Sequence, residues 1–262
     1  MRNVLSTLLF IFVFQANIAN AYDAVFFFAL QPDLVDFHSV QPGSSQSVRV
    51  GRHAFIPFTS TAGRFISANT RAGLLETMEP VALSFGRMNA KRYISFGLTG
   101  VLTDKYLPGD IVIVRHVARH DRGAWREPNE FHPRSTDATV VESDSFLDTL
   151  AEKFMAQCQT AGLTVHDQGR LVSGDAFITS NERRTFLAQT FDVDLVDMNS
   201  AAFMEAAVSF GRPGLIIRVI SDRADDSAGS TFDAFVNNRN EVLRPAARAL
   251  AHALREMSRE QK

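Results

Sequence analysis

The sequence predicts a single α/β domain with a twisted, mixed central sheet flanked by helices. Three observations carry this. Residues 24–30 (AVFFFAL) are a continuous apolar run, the mark of a strand covered on both faces, and 93–96 and 215–220 (LIIRVI) read as further buried strands. Segments with helical apolar periodicity stand between and after these runs, the alternation of an α/β fold. With 45% hydrophobic and 21% charged residues in 262, the chain can bury a large core.

The first residues stand apart from the fold. Arg2 gives a short positive start, residues 4–14 form an almost unbroken apolar run, and Ala19-Asn20-Ala21 supplies the small-x-small pattern that a signal peptidase reads. The run is shorter than the roughly 20 apolar residues of a permanent membrane helix. Residues 1–21 are therefore expected to be a signal peptide, cleaved after Ala21, leaving residues 22–262 as one periplasmic or secreted domain. A membrane anchor or a buried first strand is the alternative for this run.

In the domain, Gln31-Pro32-Asp33 breaks the first strand, and Gly97 and Gly100 close the one at 93–96. A strand over 110–116 follows the Pro108-Gly109 turn, and the polar stretch 120–137 reads as a long loop. Ser143 or Asp144 caps a helix that runs to Thr160 and ends at Gly162. Residues 171–172 lead into the turn Ser173-Gly174-Asp175, then come a helix at 181–189, a short strand at 195–198 and a helix at 201–210. The strand at 215–220 precedes an amphipathic C-terminal helix over 241–257, with Pro245 near its start.

Net charge is −2, so bulk electrostatics point to no nucleic-acid partner. The single cysteine, Cys158, lies on the apolar helical face of Phe146, Leu147, Leu150, Phe154 and Met155, which reads as core. His116, His120 and His132 follow no metal-ligand spacing, and no metal is expected.

The segments 96–114 (FGLTGVLTDKYLPGDIVIV), 172–198 (VSGDAFITSNERRTFLAQTFDVDLVDM) and 215–235 (LIIRVISDRADDSAGSTFDAF), with the start at 24–35, carry a collinear likeness. They resemble the purine nucleoside phosphorylase/uridine phosphorylase superfamily, closest to its methylthioadenosine/S-adenosylhomocysteine nucleosidase branch. The resemblance implies that Asp222, delivered by a buried strand, protonates a purine ring nitrogen so that the base can leave; an N-cap or surface carboxylate is the plainer alternative. It further implies that Phe177 stacks on the purine, that the backbone of Ile178 meets the ring edge, and that Phe232 is a second pocket aromatic. Met198 would lie against the ribose. Asn199 stands where the family has a diol-binding glutamate, and an amide can donate and accept there.

For the attacking water, the resemblance matches Asp33 to an activating glutamate and Arg218 to its arginine helper. Leu98 replaces a serine, with Thr99 beside it. Ser95 stands where hexameric phosphorylases carry a phosphate-binding arginine, which favours water over phosphate as acceptor. The implied activity is hydrolysis of a purine nucleoside to base and sugar, without cofactor, in a homodimer whose partner subunit completes the pocket. A non-catalytic nucleoside-binding or storage protein and a phosphorylase are the alternatives.

Overall fold

The computed structural model describes residues 22–41, 44–126 and 130–257; the expected signal peptide at 1–21 lies outside the described residues. In chain order the elements are β1 (Ala24–Phe28), α1 (Gln31–His38), β2 (Val48–Val50), β3 (His53–Ser60), β4 (Gly63–Asn69), α2 (Leu74–Met88), β5 (Tyr93–Val101) and β6 (Ile111–Arg119). There follow β7 (Gly123–Arg126), β8 (Glu130–Pro133), β9 (Thr139–Val140), α3 (Ser145–Thr160), β10 (Val165–Ser173), α4 (Asn181–Phe191) and β11 (Leu195–Asp197). The last four are α5 (Ser200–Ser209), β12 (Gly214–Asp222), α6 (Ala228–Asn237) and α7 (Leu243–Arg255).

The main sheet has the order β11-β10-β6-β12-β5-β1-β4-β3-β2. Strands β12, β5, β1 and β4 run parallel, so their C-terminal ends share one edge. β6 is antiparallel to β12, and β10 and β11 run parallel to β6. β11 also pairs antiparallel with the end of β5, Leu195 opposite Val101. Strands β5, β12, β6, β10 and β11 thus form a closed circuit, a feature that apolar patterning does not announce.

Both faces of the sheet are covered, which is why its strands read as unbroken apolar runs. Phe26 and Phe28 of β1 point to a cluster with Phe37, Phe58, Phe65 and Phe96, packed under α1, α3 and α7. Phe27 points the other way, edge-on to Tyr93 and Phe203 at 6.1 and 6.2 Å, among residues of α2 and α5. Each such ring taken out of water stabilises the fold by about 1.5–3 kcal/mol. Cys158 is buried in the first cluster, and burial pushes its thiol up to about 12.

Two local expectations are corrected, and a third gains its physical reason. β5 does not close at Gly97 but runs on through Gly100, because the missing side chains let neighbours approach: a Cβ at Gly97 would stand 3.0 Å from Ala29 Cβ. Gln31-Pro32-Asp33 ends the strand by opening α1, where proline in the first turn lacks only an N–H that would have no helical partner. The stretch 120–137 holds the β7–β8 hairpin rather than loop alone, with Gly123 facing Pro133. Residues 127–129 are outside the described residues.

Candidate active site

The parallel strands end where ligand crevices form in open α/β sheets. At that edge lies a cavity of about 400 Å³. Its walls are Ala29 and Leu30 after β1, Ala72 ahead of α2, Leu98, Thr99 and Gly100 of β5, and Phe177 after β10. Val196 through Asn199, Ser221 and Asp222 at the end of β12, and Gly229, Phe232 and Asp233 of α6 complete it. None of these lining side chains is cationic.

Asp222 is 1% exposed. Its Oδ2 accepts from Ser221 Oγ at 2.7 Å and its Oδ1 from the Ala224 N–H at 2.8 Å. Burial raises the carboxyl above its ordinary value, with Asp225 adding to the rise and the two hydrogen bonds opposing it. A carboxyl group raised in this way at the edge of an apolar cavity is a candidate proton donor to a ligand. Phe177 and Phe232 meet edge-on with centroids 5.5 Å apart, forming an aromatic corner beside it. Phe177 is 45% exposed, so one side of that corner is open to solvent.

The cavity brings together Asp222, Phe177, Phe232, Met198, Asn199 and Thr99 of the residues expected from the sequence. Thr99 gives its hydroxyl proton to the Val196 carbonyl at 2.8 Å. Asn199 lines the wall, but its Nδ2 already donates to Arg71 O at 2.7 Å and Thr77 Oγ1 at 2.5 Å. What it presents to a sugar is therefore its acceptor oxygen, not the mixed donor and acceptor expected from an amide.

The side chain of Ile178 packs into a satellite core with Leu102, Val172 and Leu187, which leaves its backbone, the group expected at the ring edge, next to Phe177 in the cavity wall. Two expected residues do not line the cavity. Arg218 is 1% exposed and fully engaged: Nε donates to Asp197 Oδ2 at 2.7 Å, Nη1 to Ile217 O, and Nη2 to Ser95 Oγ at 3.0 Å. Asp33 sits in α1, fully buried, with Oδ1 accepting from Arg239 Nη2 at 2.8 Å. Neither of the two groups expected to serve the attacking water lines the cavity, each being held by its own counter-ion, Arg239 for Asp33 and Asp197 for Arg218.

Two lining carboxylates were not foreseen. Asp197 accepts the backbone N–H groups of Asn199 and Ser200 and so caps α5, while also holding Arg218. Burial works to raise it, but the Arg218 charge and the Ser200 bonds outweigh this and hold it below the ordinary range. Its signal in the sequence was Asp-Met-Asn-Ser ahead of a helix, which marks a cap and not a ligand. Asp233, on the exposed side of α6, faces the same cavity. It follows Phe232 directly, and nothing in its spacing sets it apart. His120, beneath Gly174, is 2% exposed, and burial lowers its pKa. Among the described residues no group of three His, Cys, Asp or Glu side chains is placed to hold a metal ion.

A mixed sheet whose strand ends carry a largely apolar cavity, with an aromatic corner beside a buried carboxyl group, defines an α/β protein with a site for a small ring-bearing ligand. The family model of the phosphorylase superfamily matches residues 72–255, more than half the chain, and the chain belongs to that superfamily. It is 32% identical over 162 residues to the aminodeoxyfutalosine nucleosidase of Helicobacter pylori strain J99, a match covering 61% of this chain and 66% of that protein. It is 33% identical over 144 residues to the 5′-methylthioadenosine/S-adenosylhomocysteine nucleosidase of Actinobacillus succinogenes, covering 55% of this chain and 61% of the other. The chain therefore spans 66% or less of these relatives' length.

The fold is also that of solved nucleosidases. The H. pylori 5′-methylthioadenosine/S-adenosylhomocysteine nucleosidase superposes with a TM-score of 0.75 at 22% identity, over 90% of this chain and 99% of that one. The Neisseria meningitidis enzyme in complex with methylthio-immucillin-A gives 0.76 at 23% identity, over 91% and 100%.

Proposed function

We propose that this protein hydrolyses the N-glycosidic bond of a purine nucleoside. The observation that carries the reading is Asp222, buried at the edge of the aromatic corner, where burial raises its carboxyl above the ordinary value. The purine lies against Phe177 and Phe232, and Asp222 gives its proton to a ring nitrogen. The bond from nitrogen to the anomeric carbon then breaks with its electron pair leaving on the base. Water adds to the resulting oxocarbenium-like carbon and loses a proton. The names of the relatives, nucleosidases acting on 5′-substituted adenosines and on aminodeoxyfutalosine, support the same class of substrate. Absence of a cationic side chain among the described lining residues favours water over phosphate as the acceptor.

Asp222→Asn tests this. Release of purine base should fall about 10²–10⁴-fold, while binding of the nucleoside changes far less. A nitrophenyl riboside, whose leaving group needs no proton, should be spared part of the loss. Equal rates of adenine release from wild type and variant would overturn the assignment.

A second reading, a nucleoside-binding protein without turnover, has one observation in its favour. Asp33, expected to hold the attacking water, is tied to Arg239 instead. Purine binding with no base released from any nucleoside, with or without phosphate, would select it.

Two further elements belong to the proposal. Export with removal of residues 1–21 rests on the sequence of that segment, and intact mass of protein from its native host tests it. Homodimerisation with a pocket shared between subunits rests on the resemblance and on the half-exposed Phe177. Light scattering at a monomer mass would overturn it.

A further inference from the structure

Hydrolysis of an N-glycosidic bond needs a second proton transfer besides the one to the base. The water that adds to the anomeric carbon loses a proton as its oxygen–carbon bond forms. Where sugars are hydrolysed by paired carboxyl groups, one gives a proton to the leaving group and the other takes one from the water. Asp33 and Arg218 do not line the cavity, so neither is at hand for that step. The carboxyl groups that do line it are Asp197, Asp222 and Asp233. Asp197 is fully engaged: Oδ1 accepts the N–H groups of Asn199 and Ser200, and Oδ2 accepts from Ser200 Oγ at 2.6 Å and Arg218 Nε at 2.7 Å. Asp222 stands at the base and gives its proton there. Asp233 is exposed, and among the described residues its carboxylate has no hydrogen-bond or ion-pair partner.

The course of α6 places Asp233 over the cavity. The helix starts shortly after Asp222 ends β12, and just past its last turn Arg239 holds Asp33 and Asp36 of α1, the helix that follows β1. It therefore runs from the end of β12 to the end of β1, with β5 between them. Two strand spacings cover about 10 Å, and the ten residues of α6 extend about 15 Å, enough to cross them. Gly229, Phe232 and Asp233, spaced as one helical face, line the cavity from above, while Leu98, Thr99 and Gly100 of β5 line it from below. Phe232 meets Phe177 at the aromatic corner, and the next residue sets a carboxylate beside that corner in mid-helix. A purine with its ring nitrogen at Asp222 has its bond to the sugar about one strand further on, over β5 and under the middle of α6.

We propose that Asp233 is the base that takes the proton of the attacking water. This rests on the nucleosidase reading and adds the group that reading lacks. In the step, the water oxygen bonds to the anomeric carbon and one of its protons passes to the Asp233 carboxylate. The bonding pair of the N-glycosidic bond leaves on the base, which carries the proton from Asp222. Asp233 then loses its proton to solvent and Asp222 regains one from it, so the cycle closes without another reactant.

Release of adenine from adenosine and of nitrophenol from a nitrophenyl riboside tests this with the full chain. Asp233→Asn, a change at an exposed position, should lower kcat about 10²–10⁴-fold with KM little changed. The loss should be as large on the nitrophenyl riboside as on adenosine, whereas Asp222→Asn is spared part of its loss on that substrate. Azide attacks carbon without giving up a proton, so it should restore turnover to Asp233→Asn with ribosyl azide as product. Asp233→Glu should keep part of the rate. A raised KM at unchanged kcat would make Asp233 a binding residue, and a wild-type rate would leave it no part in the reaction; either overturns the proposal. If the wild type releases no base from any nucleoside, the nucleosidase reading falls and Asp233 falls with it. An active wild type beside an equally active Asp233→Asn removes the Asp233 assignment alone.

Discussion

Asp33 and Asp222 are both buried carboxylates whose neighbours set them to different ends. Asp222 borders the cavity with only neutral hydrogen-bond donors against it, whereas Asp33 is closed in beside Arg239 and Asp36. Burial pushes Asp33 from 3.8 up to about 6; Arg239 opposes that rise and Asp36 adds to it. A folded-state value above the unfolded one means that folding favours the protonated form. That contribution is full below the unfolded value and is lost as pH rises through the folded value. Urea midpoints of the wild type should therefore include a decline between about pH 4 and about pH 7, and Asp33→Asn should flatten that part of the profile. An unchanged slope in the variant would show that Asp33 is not the group responsible. The carboxylate itself was legible after the first strand. Its partner was not, because Arg239 lies 206 residues further along the chain. The same holds for Asn199, whose partner Arg71 is 128 residues away. A sequence displays which groups exist and hides which of them meet.

At the scale of elements, strands covered on both faces were the readable ones. β1 and β12 bury every residue, so their apolar runs stand out without any period. β3 carries Pro57, which reads as a breaker, and its burial follows no strict alternation; β2 is a mostly exposed three-residue edge. Neither strand was expected, nor were α2, which carries Pro80 in its interior, and the ten-residue α6, which opens on Ala-Gly-Ser-Thr. Glycine was misread in β5 for a physical reason: it can end a strand, or it can admit a neighbour. At Gly100 it admits Asp222, since a Cβ there would stand 2.9 Å from Asp222 Oδ1 and 3.1 Å from Ala224 Cβ. Ala224 sits at φ +51° and has little room to give. Gly100→Ala should thus displace the carboxylate and lower base release by roughly 10- to 100-fold, as about 1 Å of misplacement does in catalytic groups. Gly86→Ala in α2 is the control, because a Cβ there meets nothing within 4 Å. It should keep the rate and gain about 0.5–1 kcal/mol of stability. Matching rates for Gly100→Ala and wild type would mean that Asp222 tolerates the shift or does not act.

For the molecule as a whole, the closed circuit of strands makes one buried ion pair answerable to several distant segments. Arg218 of β12 reaches Asp197 at the end of β11 and both the carbonyl and the hydroxyl of Ser95 in β5. Asp197 in turn caps α5 through the N–H of Ser200. The side chains of the pair are 1% and 2% exposed, so water does little to screen them. Taking one partner away from such a pair leaves a buried charge without compensation and costs about 3–5 kcal/mol, whereas replacing both with neutral groups costs far less. Arg218→Met should therefore lower the urea-extrapolated stability by about that amount. Arg218→Met combined with Asp197→Asn should recover much of the loss, because the amide keeps an oxygen for the α5 cap and carries no charge. Both variants should unfold in a single transition with the wild-type denaturant slope, since the circuit links β5, β11 and β12 into one cooperative unit. If the double variant is no more stable than Arg218→Met, the loss comes from the Ser95 contacts rather than from a stranded carboxylate. If either variant unfolds in two steps, the strand circuit does not couple the two ends of the sheet.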